Sequence, residues 1–436
     1  MIDVNESSSG TEHVQSPMTR FMIIFCLLFA GEAIFGLTFH VPRFFRPQLL
    51  EAFHFSNTQL GDIYAAYGLT AMVSYFVGGP IADRFSTRLL LTVSITATAM
   101  GGLVMAYIPG VIGMTLLYAY WGVSSILLFW AAMIRATREW GGTIAQGKAF
   151  GILDGGRGLV AAASASTAVA AFGWVLPADV TLPTSEQNQQ GLQSVIYLYT
   201  GITFFAAVLT WTFIPDTRPQ SSSPLSKRQR QSLAIEVTQV LHSPIVWAIA
   251  GIVICSYCGY KALDNYGLYA VEALGMNALE SSEFISNAAY LRIGAAITAG
   301  LIADRFSASK TIGISFTLLI ISYLLLANSA SLTTVLMYGN VIITFVLVYG
   351  LRGVYFVLLE EAKTPTHLTG TTVGTVSLLG YTPDFFFGPI AGRILDRAPG
   401  LQGHLDYFSF LAVIMAVGLM ITLTFVVLNR RCTGDI

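Results

Sequence analysis

The chain has 436 residues, 54% of them hydrophobic and only 11% charged, with a formal net charge of −1. A soluble protein carries about a quarter charged residues, so these proportions exclude a soluble globular domain and point to many membrane spans. The near-neutral balance also excludes nucleic acid as a partner.

Residues 1–18 are polar and mildly acidic. They lack the basic start and short apolar core of a cleavable signal, so the first span is expected to be retained. Apolar runs of about 20 residues each can cross a bilayer. Twelve are expected, and they are numbered here as spans 1 to 12. Spans 1 to 6 lie at 20–45, 58–78, 88–108, 112–134, 148–172 and 192–214; spans 7 to 12 lie at 245–271, 282–303, 310–328, 333–359, 369–392 and 405–429. The connection 176–191 is polar and reads as the longest outer loop. Residues 215–244, rich in Pro and Ser and then basic, read as a linker, with a surface helix from Ser232 to Leu241. The expected division is a tail at 1–19, a bundle at 20–214, that linker, a second bundle at 245–429 and a tail at 430–436.

Lys and Arg set the orientation. Arg84, Arg88, Arg218, Lys227, Arg228, Arg230, Arg305, Lys310, Arg430 and Arg431 fall on one face with both termini, which is expected to be cytoplasmic. Arg43, Arg46, Arg393 and Arg397 fall at or near the other face. Cys26, Cys255 and Cys258 lie inside apolar runs, so no disulfide framework is expected.

One stretch is written twice. Gly79-Pro80-Ile81-Ala82-Asp83-Arg84-Phe85-Ser86-Thr87-Arg88 recurs, 221 residues on, as Gly300-Leu301-Ile302-Ala303-Asp304-Arg305-Phe306-Ser307 and then Lys310. Glycine admits close helix approach, aspartate is able to cap a helix, and the cations stay among headgroups. The spacing G-x-x-x-D-R-x-x-x-R resembles the loop signature of the major facilitator superfamily. That resemblance implies an all-α integral membrane fold of twelve transmembrane helices in two pseudo-symmetric six-helix bundles, with the substrate site at their midplane interface. It also implies that Gly79, Asp83, Arg84, Arg88, Gly300, Asp304 and Arg305 belong to gating loops. Gly147, Gly151 and Gly155, followed by Gly158, line span 5 as a face of small residues for close packing.

Several ionisable residues lie inside the spans, where each costs about 2.5–3.5 kcal/mol on insertion scales. At about 1.5 Å per residue, Glu32, Arg157 and Arg292 come near the middle of the bilayer. Asp384 lies slightly beyond it, Lys261 and Asp264 in the outer half, and Arg352 toward the inner headgroups. Lys261 with Asp264, and Arg157 with Asp154, are three residues apart and able to neutralise each other. Arg292 has no acidic neighbour within a turn. His40 and Arg43 stand 221 residues before Lys261 and Asp264, which puts ionisable groups at matching heights in spans 1 and 7.

Tyr260-Lys261-Ala262-Leu263-Asp264, with Tyr269, resembles the seventh-helix pattern of the organophosphate antiporters. Here, however, Gly259 stands where that family has arginine, and Phe39 and His40 stand near its first-helix arginine. Gln146–Gly151, Gly155–Gly158 and Gly380–Pro383 resemble uncharacterised bacterial anion-type members, including ones associated with sulfosugar use.

The expectation is a secondary active transporter of a small organic solute, an anion, driven by protons or exchange. Substrate contacts are expected from Arg292, Lys261, Arg157, Tyr260, His40 and Arg352. Glu32, Asp384, Asp264 and Asp154 are expected to carry protons or form ion pairs. Proton-driven efflux of an amphipathic compound is the alternative, favoured by the 12% aromatic content. A non-transporting membrane receptor is the alternative from another class. No cofactor, metal or enzymatic motif is expected, and the expected setting is a monomer in the inner membrane.

Overall fold

The computed structural model describes residues 16–82, 84–141, 146–176, 184–217, 227–329 and 333–433. Asp83 and the side chain of Asp154 lie outside the described residues. Nine helices among the described residues are long and apolar enough to cross a membrane. The pair Pro17–Ala33 and Gly36–Phe44, bent by 40°, forms one more such path. Span 2 is the 26-residue helix Asn57–Ala82, and span 11 is divided into Thr366–Gly380 and Pro383–Arg397. The fold is the all-helical one expected.

Local chemistry sets the ends of these helices. Ser16 accepts from the amide of Thr19, with Pro17 in the first turn of span 1. Thr184 and Gln187 form a capping box at the start of Ser185–Phe213, and Asn277 and Glu280 form another at Ala278–Ala289. The first box moves the start of span 6 outward, so much of the expected outer loop is helix. The linker helix also starts earlier than expected, running Lys227–His242. In the duplicated loops, serine rather than aspartate is the cap. Ser86 accepts from the amide of Leu89 and Ser307 from that of Lys310, while Asp304 is exposed.

Both half-leading spans are interrupted. Span 1 passes through a π turn at Gly36–His40, then Val41–Phe44, and restarts at Arg46–Phe53. Span 7 passes from Pro244–Ala262 through a 3₁₀ turn at Leu263–Asn265 into Tyr266–Glu272. Breaks of this kind are tolerated at membrane depth where the backbone is buried in protein or lines a cavity.

The two halves meet along two seams, span 2 against span 11 and span 5 against span 8. At the first seam the backbones touch. A Cβ at Gly61 would collide with the carbonyl of Gly388, one at Gly392 with the carbonyl of Asn57, and one at Gly68 would lie 2.6 Å from the carbonyl oxygen of Asp384. Asp396, from span 11, accepts from the backbone amides of Asn57 at 3.1 Å and Thr58 at 2.6 Å, so a carboxylate of one half caps a helix of the other. Gln48 reaches the carbonyl of Ala278 at 2.8 Å and the hydroxyl of Ser282 at 2.9 Å. These bonds cluster on the side of the loop between spans 1 and 2, and there the halves are closed.

Gly61→Val is expected to push the seam apart. Spin labels at Gln59→Cys and Leu401→Cys should then report a longer separation than in the parent protein. An unchanged distance would contradict the backbone contact. Asp396→Ala should cost about 1 kcal/mol, the usual worth of an N-cap, read as a lower melting temperature of the detergent-solubilised protein.

Candidate functional site

Glu32 ends the first segment of span 1, just before the π turn, and is 3% exposed. Its carboxylate accepts from Arg157 Nε at 2.9 Å and lies 3.1 Å from His40 Nε2. Arg292 Nη1, from the other half, comes to 3.8 Å of the same carboxylate. Gly158 makes room for this, since a Cβ there would meet Arg292 Cδ at 3.1 Å. Of the expected glycine face of span 5, the surroundings of Gly147 and Gly151 lie outside the described residues. Gly155 faces open space, Gly156 packs on Leu28, and Gly158 admits an arginine.

A second cluster lies on spans 1, 7 and 11. Arg43 Nε donates to Asp264 at 2.6 Å and its Nη1 to the Tyr260 hydroxyl at 2.7 Å. Lys261 Nζ lies 3.1 Å from Asp264 and 3.5 Å from Asp384, over the rings of Phe39 and Tyr64. The Tyr257 hydroxyl lies 3.1 Å from both carboxylate oxygens of Asp384. The guanidinium of Arg352 is 4.1 Å from the Tyr260 ring centre, and that of Arg43 is 4.4 Å from it. Between the clusters is a cavity of about 10 Å³, close to the smallest that holds one water. Glu32, His40, Arg43, Tyr260, Arg292 and Tyr349 line it.

Arg43 and Asp264 are separated by 221 residues, the same offset as the duplicated loops. Two positions exchanged by a two-fold axis touch one another only if both lie next to that axis. The salt bridge therefore marks the line between the halves, where a transported solute must pass.

Several placements differ from expectation. Arg43 and Arg46, expected at or near the outer face, are buried, at 5% and 3% exposure. The break in span 1, between Pro42 and Pro47, turns them inward. Arg352 reaches the aromatic cluster rather than the inner headgroups, and Arg157 is held by Glu32. Arg292, with no acid within its own turn, meets one from the opposite half. Lys261 pairs with Asp264 as its spacing suggests, and Tyr260 lies between two guanidiniums' reach.

In the duplicated loops, Arg84 and Arg305 are exposed, and Arg88 lies 3.3 Å from Asp216. A Cβ at Gly300 would meet nothing within 4 Å, so no close approach depends on that glycine. Gly79 falls within the helix Asn57–Ala82. Glu361 takes up the start of span 9, accepting from Ser309 N at 2.8 Å and Oγ at 2.5 Å.

An all-helical bundle of membrane-spanning length with buried, cross-linked charges at its internal axis fits a membrane carrier. The model of the Major Facilitator Superfamily matches residues 21–381, and the chain belongs to that superfamily. It is a secondary transporter of a small molecule, embedded in a membrane, and not an enzyme. Among characterised sequences it is similar to the inner membrane protein YqcE of Escherichia coli strain K12, with 27% identity over 95% of this chain and 96% of that one. It is similar also to the inner membrane protein YihN of the same strain, with 25% identity over 92% of this chain and 94% of that one. Among solved structures, a D-xylose–proton symporter superposes with a TM-score of 0.73 at 14% identity, covering 94% of this chain and 97% of that one. A bacterial homologue of the lysosomal transporter Spinster, inward-facing and unoccupied, gives 0.69 at 15% identity, covering 94% and 98%. At those identities the likeness is one of fold.

Removing one member of a buried charge pair leaves its partner uncompensated and costs about 3–5 kcal/mol. Glu32→Ala is therefore expected to lower thermal stability sharply. Glu32→Ala combined with Arg157→Ala should recover part of the loss, and strict additivity in that double-mutant cycle would show that the two side chains do not interact.

Proposed function

We propose that this protein carries a small organic anion across the inner membrane by alternating access. The observation that supports this most directly is the charge at the axis. Arg43, Arg157, Lys261, Arg292 and Arg352 face Glu32, Asp264 and Asp384 among the described residues, and the surplus is positive. With Asp154 of span 5, whose side chain lies outside the described residues, the balance is five cations to four carboxylates, and the excess of one is Arg43. The setting of the relatives, both named inner membrane proteins, supports the location.

In this reading Glu32 holds the site when no substrate is there. Its carboxylate occupies Arg157 closely and Arg292 loosely, at 2.9 and 3.8 Å. An entering carboxylate, sulfonate or phosphate would compete for the planar donor fork of Arg292. Protonation of Glu32 would release both arginines to the substrate, which would couple transport to a proton. An exchanged anion would do the same by direct replacement. Lys261, shared between Asp264 and Asp384, links the site to the Arg43–Asp264 bridge between the halves. Asp83 and the paired loops would stabilise closure at the opposite face, so Asp83→Asn should slow transport without reducing insertion.

The test is a thermal-shift screen of small anions on the purified protein, since a ligand of the native state raises its stability by mass action. An anion that stabilises the parent protein should bind Arg292→Lys at least about tenfold more weakly, because a point charge replaces a bidentate fork. A substrate that is neutral or cationic, or full binding by Arg292→Ala, would end the proposal. Glu32→Gln is expected to flatten the pH dependence of uptake if protons drive it, whereas unchanged dependence in both Glu32→Gln and Asp384→Asn would assign the coupling elsewhere.

A further inference from the structure

A second, larger cavity lies away from the axis, where the start of span 3 meets the end of span 6. Its volume is about 360 Å³, within the range of small-ligand sites. Arg84, Arg88 and Asp216 line it together with Phe85, Leu89 and Trp211. The three apolar side chains are 50%, 41% and 51% exposed. Arg88 lies over the Trp211 ring, 4.8 Å from its centre, and 3.3 Å from Asp216. Arg84 is exposed and makes no ion pair or side-chain hydrogen bond among the described residues. The groove is therefore divided. One end carries two guanidiniums and one carboxylate at the level of a loop between spans, and the other end is apolar and faces outward from the bundle.

A soluble anion would use only the first end. An amphiphile with a phosphate beside its acyl chains would use both. Basic pockets between transmembrane helices at a membrane face suit anionic lipid headgroups, and tryptophan belongs at the same level. From this groove we infer that the protein binds an anionic phospholipid, its phosphate on Arg84 and Arg88 and its chains along Phe85, Leu89 and Trp211.

This inference does not depend on the identity of the transported solute. With one arginine partly answered by Asp216, the preference over a zwitterionic lipid corresponds to about one net basic residue at a membrane surface, roughly fivefold. The test places the full-length protein in nanodiscs of phosphatidylcholine containing either brominated phosphatidylglycerol or brominated phosphatidylcholine. Quenching of Trp211 is obtained as the difference from Trp211→Phe. Phosphatidylglycerol is expected to occupy the site about fivefold more readily, and Arg84→Gln with Arg88→Gln should abolish the preference. Arg84→Lys with Arg88→Lys should retain most of it, which guards against loss of folding in the glutamine variant. Free glycerophosphate at millimolar concentration should leave the preference intact. Equal quenching by both lipids in the parent protein, a preference that survives the glutamine variant, or displacement by free glycerophosphate would each overturn the inference, the last by identifying a site for soluble anions.

Discussion

The arrangement of the site depends on burying one carboxylate among cations that come from both halves of the molecule. A lone Glu32 at mid-membrane depth would be costly, and so would Arg157 or Arg292. Together they compensate each other, and the pairing becomes a contact between bundles as well as an element of the site. Arg157 shares a half with Glu32 and lies at hydrogen-bond distance, whereas Arg292 crosses from the other half and stays about an ångström further away. That inequality matters for a carrier. A tight bridge within one bundle keeps the site intact, and a looser one between bundles is broken at less cost when the halves move.

The same logic extends outward from the midplane. Arg43 and Asp264 join spans 1 and 7 at the axis, Lys261 divides itself between two carboxylates, and Asp396 caps a helix of the opposite half. Around them the glycines of spans 2 and 11 allow backbone contact, which supplies dispersion without long side chains that would have to repack. The seam, built from glycine contacts, a few charged bonds and buried side chains such as Tyr64 and Phe387, is closed in this structure. The exposed pair Arg393–Asp62 adds little, as solvent-exposed ion pairs do.

The interruptions in spans 1 and 7 explain why the charges converge. A straight helix through residues 20–45 carries Arg43 to the rim. The π turn and the break at Phe45 instead redirect the last turns across the end of the bundle, and span 7 does the same at Leu263–Asn265. Irregular backbone at this depth is permitted because it is enclosed by protein on all sides. The duplicated loops tell a related story. Their shared serine caps the following helix, so the repeated letters preserve a turn that both halves need, while Arg84 and Arg305 stay exposed.

Much of this was legible in the sequence. Low charge and apolar runs of about 20 residues point to helical membrane spans, because a helix satisfies its own backbone in lipid, and a duplicated loop at a fixed offset implies two related halves. Ion pairs three residues apart, such as Lys261 and Asp264, are local and follow from helix geometry. The cross-half contacts are not local. Glu32 and Arg292 are separated by most of the chain, and no periodicity states that they meet. Arg43 was placed at or near the outer face because its height was counted along an unbroken helix. Its actual place depends on a break near Pro42 and Pro47 and on Asp264 waiting at the symmetry-related position. Composition and spacing determined that charges would be buried. Which charges meet, and the positive surplus that results, depended on how two bundles close against each other around a common axis.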